Sequence, residues 1–166
     1  MSIFFHLKNN YYSELINDPE FENNPSRNYI IVPKIKYKGR IINVAIPLRS
    51  NININFQKRK GEIIPTVPTP KTRPGNIAGF HILKIIPVNR ATVVRYDYDM
   101  QARRDLALAE QIVKQSEDVL KQYIISFLSC LEKNEKTWAA IDFDNALQIA
   151  DTLKAQSQAA FNKNKK

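Results

Sequence analysis

Arg49 and Ser50 stand side by side where a β-branched run, Ile41 to Ile46, gives out through Pro47 and Leu48. A guanidinium can take two oxygens of a phosphodiester while the adjacent hydroxyl donates to a third or orients a ribose 2′-hydroxyl. The chemistry such a pair could serve is cleavage of RNA by its own 2′-oxygen, which attacks the neighbouring phosphorus. The substrate then supplies the nucleophile. The protein must bend the strand in line, stabilise the charge of the phosphorane-like transition state and manage two proton transfers. The plainer alternative is a strand ending at a polar turn, an ordinary place for serine.

Other chemistries find less support in the residues. His81, between Phe80 and Ile82, is of a type that titrates in the range proton transfer needs, but a buried, hydrogen-bonded strand histidine is the favoured reading of its neighbours. Hard cations need clustered carboxylates and zinc needs Cys, His or carboxylate ligands; between Arg27 and Tyr96 only Glu62 and His81 qualify, so no metal is expected. Asp97 and Asp99 read as caps of a following helix. Gly75 and Gly79 are isolated, and nothing matches a phosphate-binding loop or dinucleotide fingerprint, so no cofactor is expected. Cys130, the single cysteine, lies among Phe127, Leu128 and Leu131 and reads as a small buried hydrophobe.

Charge supplies the partner. From Arg27 to Tyr96 the chain carries fourteen Lys or Arg residues against one acid, Glu62, a formal charge of +13 that exceeds the +9 of the whole 166-residue protein. Residues 1–26 set Lys8 against Glu14, Asp18, Glu20 and Glu22, and residues 97–166 set ten bases against eleven acids. A block of one sign attracts a polyanion by releasing its counterions, which makes nucleic acid the leading partner. Candidates to guide a strand are Lys34, Lys36, Lys38, Asn51, Lys58, Arg59, Lys71 and Arg73, with Tyr37 placed at a turn where its ring could stack on a base. The three lysines at period two could instead defend an edge strand against aggregation.

These residues need elements to hold them. At this length one domain is expected, burying roughly 70% of its unfolded surface; residues 1–161 read as that domain and 162–166 as a basic, disordered tail. Ile3 to Phe5 begins a strand, and Asn17 to Ser26 reads as a loop. Tyr29 to Lys36 and Ile41 to Ile46 form a hairpin through Tyr37-Lys38-Gly39-Arg40, placing Lys34, Lys36 and Lys38 on one face. Residues 51–76, with four of the nine prolines, read as a stiff, irregular, basic segment. Strands at Gly79 to Val88 and Ala91 to Tyr96 follow, turned around Asn89-Arg90. Asp99 caps a helical region running to about Lys133, divided at Ser116-Glu117-Asp118, and Asp142 caps a last helix. Strands followed by helices predict α+β, a small curved antiparallel sheet or barrel with helices packed to one side. No apolar run approaches the ~20 residues of a membrane span, and Met1 to Leu7 lacks the pattern of a signal peptide, so a cytoplasmic protein is expected.

Three segments in order carry a family resemblance: Asn24-Pro25-Ser26-Arg27 leading into Tyr29-Ile30-Ile31-Val32, the strand end Ile46-Pro47-Leu48-Arg49-Ser50, and Gly79-Phe80-His81-Ile82-Leu83-Lys84-Ile85-Ile86-Pro87. With the helical tail they cover most of the chain. In these the sequence resembles the ToxN and AbiQ endoribonuclease toxins of type III toxin–antitoxin systems, the TenpN branch among them. The resemblance implies a curved β-barrel core like that of the MazF and Kid toxins. It implies metal-independent cutting of single-stranded cellular or phage RNA to a 2′,3′-cyclic phosphate, hence a role in phage defence. The inhibitor it implies is a small folded antitoxin RNA, such as a pseudoknot, cut by the toxin from a repeated precursor and held in a protein–RNA assembly.

Residue by residue, Ser50 matches the family's active-site serine, and Arg27 falls near a functional lysine that follows the Asn-Pro pair. Arg49 stands where relatives have threonine and Ile52 where they have lysine, so the phosphate-binding charge is shifted along the same loop. Phe21 aligns with a family tyrosine. A phenyl ring cannot transfer a proton, which leaves the general acid and base open and draws attention to His81. The expectation is thus an endoribonuclease with Arg49, Ser50, Arg27 and His81 at its centre. The rival from another class is a barrel-like RNA- or single-strand-binding module that uses the same groove without chemistry.

Overall fold

The structure is a computed structural model that describes residues 3–56, 61–97, 99–133 and 140–164. The chain runs β1 (Phe4–Leu7), α1 (Asn9–Leu15), β2 (Asn28–Tyr37), β3 (Arg40–Ile52), β4 (Ile63–Pro65), β5 (Ile77–His81), β6 (Ile86–Val88), β7 (Val93–Arg95), α2 (Met100–Gln115), α3 (Glu117–Glu132) and α4 (Phe143–Asn164). The seven strands form one sheet in the order β4-β5-β3-β2-β1-β7, with β6 also paired to β3, and every pairing is antiparallel. This is the α+β architecture expected from strands that precede helices.

The β2–β3 hairpin is its spine, and its turn chemistry is local. Lys38 and Gly39 both take positive φ, 47° and 76°, the pair of values that a two-residue turn matched to strand twist requires. Between Val32 and Ile35 the ladder slips: Val32 faces Val44 but Ile35 faces Ile42, so β2 carries one residue more than β3. The bulge falls at Pro33, which has no N–H to give the ladder, and Lys34, at φ 58°. It inverts the side-chain parity, from Ile30 and Val32 inward to Ile35 and Tyr37 inward. The expectation of Lys34, Lys36 and Lys38 along one regular strand face is corrected accordingly: one occupies the bulge, one the strand and one the turn.

Both sheet faces are buried. Ile30, Val32, Val44 and Ile46 pack with Leu120, Ile124, Phe127 and Leu128 of α3 and Ala109 of α2. Tyr29, Ala45, Ile86 and Val88 pack on the other side with Tyr11 and Leu15 of α1 and Ala146 and Ala150 of α4. The small Ala146 and Ala150 let α4 lie close, and Tyr11 Oη donates to the Pro87 carbonyl at 2.5 Å beneath it. Helices therefore cover both faces, which adds a second helical layer to the one anticipated.

Helix limits follow the caps. Asp99 Oδ1 accepts from the Ala102 N–H at 2.8 Å, and Asp142 Oδ1 from the Asn145 N–H at 3.1 Å. The break at Ser116 is as read from the sequence. Two departures have local causes. Helix α1 has a weakly helical Asn-Asn-Tyr-Tyr-Ser sequence and is secured by burial of Tyr11 and Leu15, one turn apart. Helix α4 continues through Asn164, past the end expected near Asn162, on a run of good helix formers including Ala159 and Ala160.

The long apolar segment Gly79 to Val88 is two strands, not one. Strand β5 pairs with the far half of β3 and β6 with its near half, joined by a 3-10 turn over Ile82–Lys84. All residues from Ala78 to Val88 are buried, so no alternation marks the interruption. The turn at Asn89 forms through its side chain, which accepts from the Ala91 N–H at 2.9 Å. Beyond it β7 crosses to pair with β1, Leu7 opposite Val93, at the other side of the sheet.

Candidate active site

Asn28 faces Leu48 at the end of the β2–β3 ladder, and the next residue outward is an arginine on each side, Arg27 just before β2 and Arg49 within β3. The two guanidiniums converge on one carboxylate. Arg27 Nη2 donates to Glu22 Oε1 and Arg49 Nη2 to Glu22 Oε2, each at 2.8 Å. Their other nitrogens are tied to the protein: Arg27 Nη1 donates to the Leu48 carbonyl at 3.4 Å, and Arg49 Nη1 to His81 Nδ1 at 2.9 Å. Each arginine is thus anchored on its inner side and offers an outer donor to an anion. The arginine side chains are only 12% and 16% exposed, whereas Glu22 is 49% exposed.

His81 lies behind this pair. It is fully buried, and burial, followed by the nearby charges of Arg49, Lys84 and Arg27, pushes its pKa down to about 3. An arginine only donates, so Nδ1 must be the acceptor and the neutral ring carries its proton on Nε2. The expected proton-transfer role is corrected on these grounds: His81 touches no solvent-open surface and orients Arg49 instead. Burial also lowers the Arg49 pKa, opposed by Glu22, without bringing a guanidinium near neutrality.

Two hollows meet at the arginines, which line both. The larger, about 590 Å³, takes in Ser50, Asn24, Ser26 and Asn28. Its walls are the segment Thr66 to Lys71 on one side and Leu106, Leu108 and Ala109 of α2 on the other. Leu108 and Val67 are each 51% exposed and give it apolar surface suited to the face of a base. The smaller, about 270 Å³, lies among Pro19, Phe21, Tyr29, Pro47, Lys84 and Ile141. There Lys84 Nζ donates to the carbonyl and to Oε2 of Glu20, both at 2.9 Å.

The proline-rich segment is fixed as a groove wall by the end of β3. Thr72 Oγ1 donates to the Ser50 carbonyl, and Asn51 Oδ1 accepts from the Arg73 N–H at 3.0 Å and from Asn76 Nδ2 at 2.8 Å. Gly79 makes the approach possible, because a Cβ there would overlap the Ile64 carbonyl where β4 closes on β5.

Of the residues singled out from sequence, Arg27, Arg49, Ser50 and Lys71 share the larger groove, and His81 supports it. Arg73 is exposed on the same segment, and Asn51 is engaged in holding that segment. Lys58 and Arg59 lie outside the described residues. Lys34, Lys36 and Lys38 sit toward the opposite end of the hairpin: eight strand residues of about 3.3 Å each carry Lys36 roughly 25 Å from Asn28. Lys38 Nζ is occupied there by Asp144 at 2.8 Å. Tyr37 is corrected too. Its ring is 1% exposed, edge-on to Phe143, and its hydroxyl donates to Asp144 Oδ1 at 2.7 Å, so it serves the core and not a base.

Sequence reasoning missed Glu22, Glu20 and Lys84. Glu20 and Glu22 enter the sequence reading only as part of the mildly acidic start, and Lys84 only within the basic block and the segment Gly79 to Pro87, with no role of its own. The available signal was their position: an acidic pair in the loop immediately before an almost purely basic block.

No protein-family model matches the sequence, and no curated protein matches it significantly. Solved structures do match. The ToxN structure, from work describing a bacterial antiviral system regulated by a processed non-coding RNA, superposes with a TM-score of 0.65 at 14% identity over 89% of this chain and 96% of its own. AbiQ, a lactococcal anti-phage endoribonuclease of the type III toxin–antitoxin class, superposes with a TM-score of 0.67 at 16% identity over 92% of this chain and 97% of its own. The chain has the fold of the ToxN and AbiQ toxins.

Proposed function

We propose that this protein is the toxin of a type III toxin–antitoxin system, a cytoplasmic endoribonuclease that cuts single-stranded RNA by 2′-hydroxyl attack and leaves a 2′,3′-cyclic phosphate. The observation that carries the reading is the pair of anchored arginines, whose outer donors meet one carboxylate beside a groove lined by Ser50. Two oxygens held that way have the spacing and charge of the non-bridging oxygens of a phosphodiester. In this reading Arg27 and Arg49 hold the scissile phosphate and stabilise its transition state, and the Ser50 hydroxyl donates to it or orients the 2′-hydroxyl. His81 is a positioning residue for Arg49. Lys71 and Arg73, on the proline-rich wall, guide the strand, and Leu108 and Val67 offer bases an apolar surface. No step needs a metal or cofactor, since the substrate carries the nucleophile.

The likeness to ToxN and AbiQ supports an antitoxin made of a small folded RNA, processed from a repeated precursor and bound in the same groove. The test is to incubate the purified protein with a long single-stranded RNA, and with the matching DNA, in EDTA and to map the ends. Cleavage of RNA alone, at recurrent sites and to cyclic phosphate, is the expected result. RNA bound but left intact by folded, RNA-free protein would assign the groove to binding without chemistry.

A further inference from the structure

We infer that Glu22 is the general base of the site: its carboxylate holds the phosphate position in the free protein and, displaced by the substrate, takes the proton from the attacking 2′-hydroxyl. The inference rests on the endoribonuclease reading and names the proton acceptor that reading lacks.

Among the described residues lining the two hollows, the acidic side chains, carboxyl or phenol, are Glu20, Glu22 and Tyr29. Tyr29 is buried, and burial raises its pKa, so its phenol keeps its proton. Glu20 is turned to Lys84, in the smaller hollow. His81 lines neither hollow. That leaves Glu22, which lines the smaller hollow and touches both arginines, the two residues that also line the groove containing Ser50.

Its geometry fits a group that is displaced only a short way. Glu22 sits on the loop between α1 and β2, its side chain half exposed while its partners are nearly buried. The loop itself is pinned on either side of it. Asp18 Oδ2 accepts from the Asp142 N–H and Asp18 Oδ1 from the Glu20 N–H, both at 2.9 Å, Phe21 is buried against Tyr12, and the Asn24 N–H donates to the Glu22 carbonyl at 2.9 Å. A phosphodiester that takes the two guanidinium donors therefore pushes aside the carboxylate but not its backbone. Glu22 is left beside the phosphate, where the adjacent ribose hydroxyl must lie. The charged and titratable groups around it are Arg27 just before β2, Tyr29 from β2, Arg49 from β3, His81 from β5 behind Arg49, Tyr12 from α1 through its hydrogen bond to Asn23, and the Glu20–Lys84 pair.

The step balances with water as the only co-reactant. The 2′-hydroxyl proton passes to Glu22, the 2′-oxygen forms its bond to phosphorus, and the bond from phosphorus to the 5′-oxygen breaks. The 5′-oxygen leaves with that electron pair and takes a proton from water, and Glu22 later returns its proton to solvent. Both arginines stay charged throughout.

The test compares wild-type protein with Glu22→Gln and Glu22→Asp on one RNA in EDTA, together with binding of the 2′-deoxy analogue and thermal unfolding. Glu22→Gln is expected to lower kcat by about 10²- to 10⁴-fold, to leave the protein folded, to bind the analogue as tightly as wild type or more tightly, since a neutral amide competes less with the phosphate for the two arginines, and to remove the rise of rate with pH on the acid side. Glu22→Asp is expected to recover part of the rate and the pH dependence. A Glu22→Gln protein that cuts at the wild-type rate or faster would overturn the inference and make the carboxylate a mere occupant of the site. Loss of rate in step with loss of analogue binding or of fold would overturn it in favour of a structural role. Either result leaves the endoribonuclease reading standing, because the wild-type protein still cuts; an inert wild-type protein would remove both.

Discussion

The two ends of the β2–β3 ladder carry the same sign of charge and opposite physics. At one end Arg27 and Arg49 are nearly buried and tied by inner hydrogen bonds. At the other, Lys38 pairs with Asp144 and Arg40 with Asp151, with the bases 47% and 52% exposed. Exposed pairs of that kind are worth about 0–1 kcal/mol and yield to salt. Their work is to bind the hairpin turn to α4, the helix that carries both acids. At the first end the geometry is set before any ligand arrives, and that preorganisation separates a site for chemistry from a basic surface. Charge counting along the chain cannot tell them apart.

The comparison breaks most readily at Arg49. On the proposed function, Arg49→Ala removes an anchored donor to the transition state and should lower the single-turnover cleavage rate by about 10²- to 10³-fold, with the fold checked by thermal unfolding. An intermediate effect is expected behind it. Because the His81 pKa falls to about 3 from its ordinary 6.5, the unfolded chain takes up a proton between those values that the folded chain refuses. Stability contributed by the neutral ring should therefore fall as pH drops from 6.5 toward 3, by up to ~1.4 kcal/mol per pH unit. Urea unfolding at several pH values should show that slope reduced in His81→Gln, which keeps an acceptor for Arg49; an unchanged slope would place the acid sensitivity elsewhere. The smallest effect belongs to the far end. Lys34→Ala with Lys36→Ala should change cleavage of a short RNA by less than about twofold at physiological salt, since roughly 25 Å is several screening lengths. A loss matching that of Arg49→Ala would erase the distinction.

Much of this was legible before the structure. The hairpin and its turn followed from two β-branched runs around Lys38-Gly39, and the helix starts followed from Asp99 and Asp142. That Arg49 adjoins Ser50 was visible because it is local in sequence, but the strand expected to end there runs on to Ile52, with Arg49 opposite Gly79 of β5. What was not visible depends on long-range register. The bulge at Pro33-Lys34 scattered three lysines that alternate in sequence, and the buried Tyr37 owes its place to Asp144, more than a hundred residues away. The 3-10 turn at Ile82–Lys84 hid within an unbroken apolar run, where no periodicity records a change of direction. Glu22 meets Arg49 only because the loop after α1 folds back over the strand ends, so no spacing in the sequence announces it.

The central claim is that RNA is cut by its own 2′-oxygen at the Arg27–Arg49–Ser50 groove. It is tested most directly with one RNA oligonucleotide, cut at a mapped bond, and a twin carrying a single 2′-deoxy sugar on the 5′ side of that bond. The account predicts that the twin binds as tightly as the all-ribose strand and stays intact there, while the all-ribose strand ends in a cyclic phosphate. Cleavage of the twin at the same bond would require another nucleophile and would contradict it.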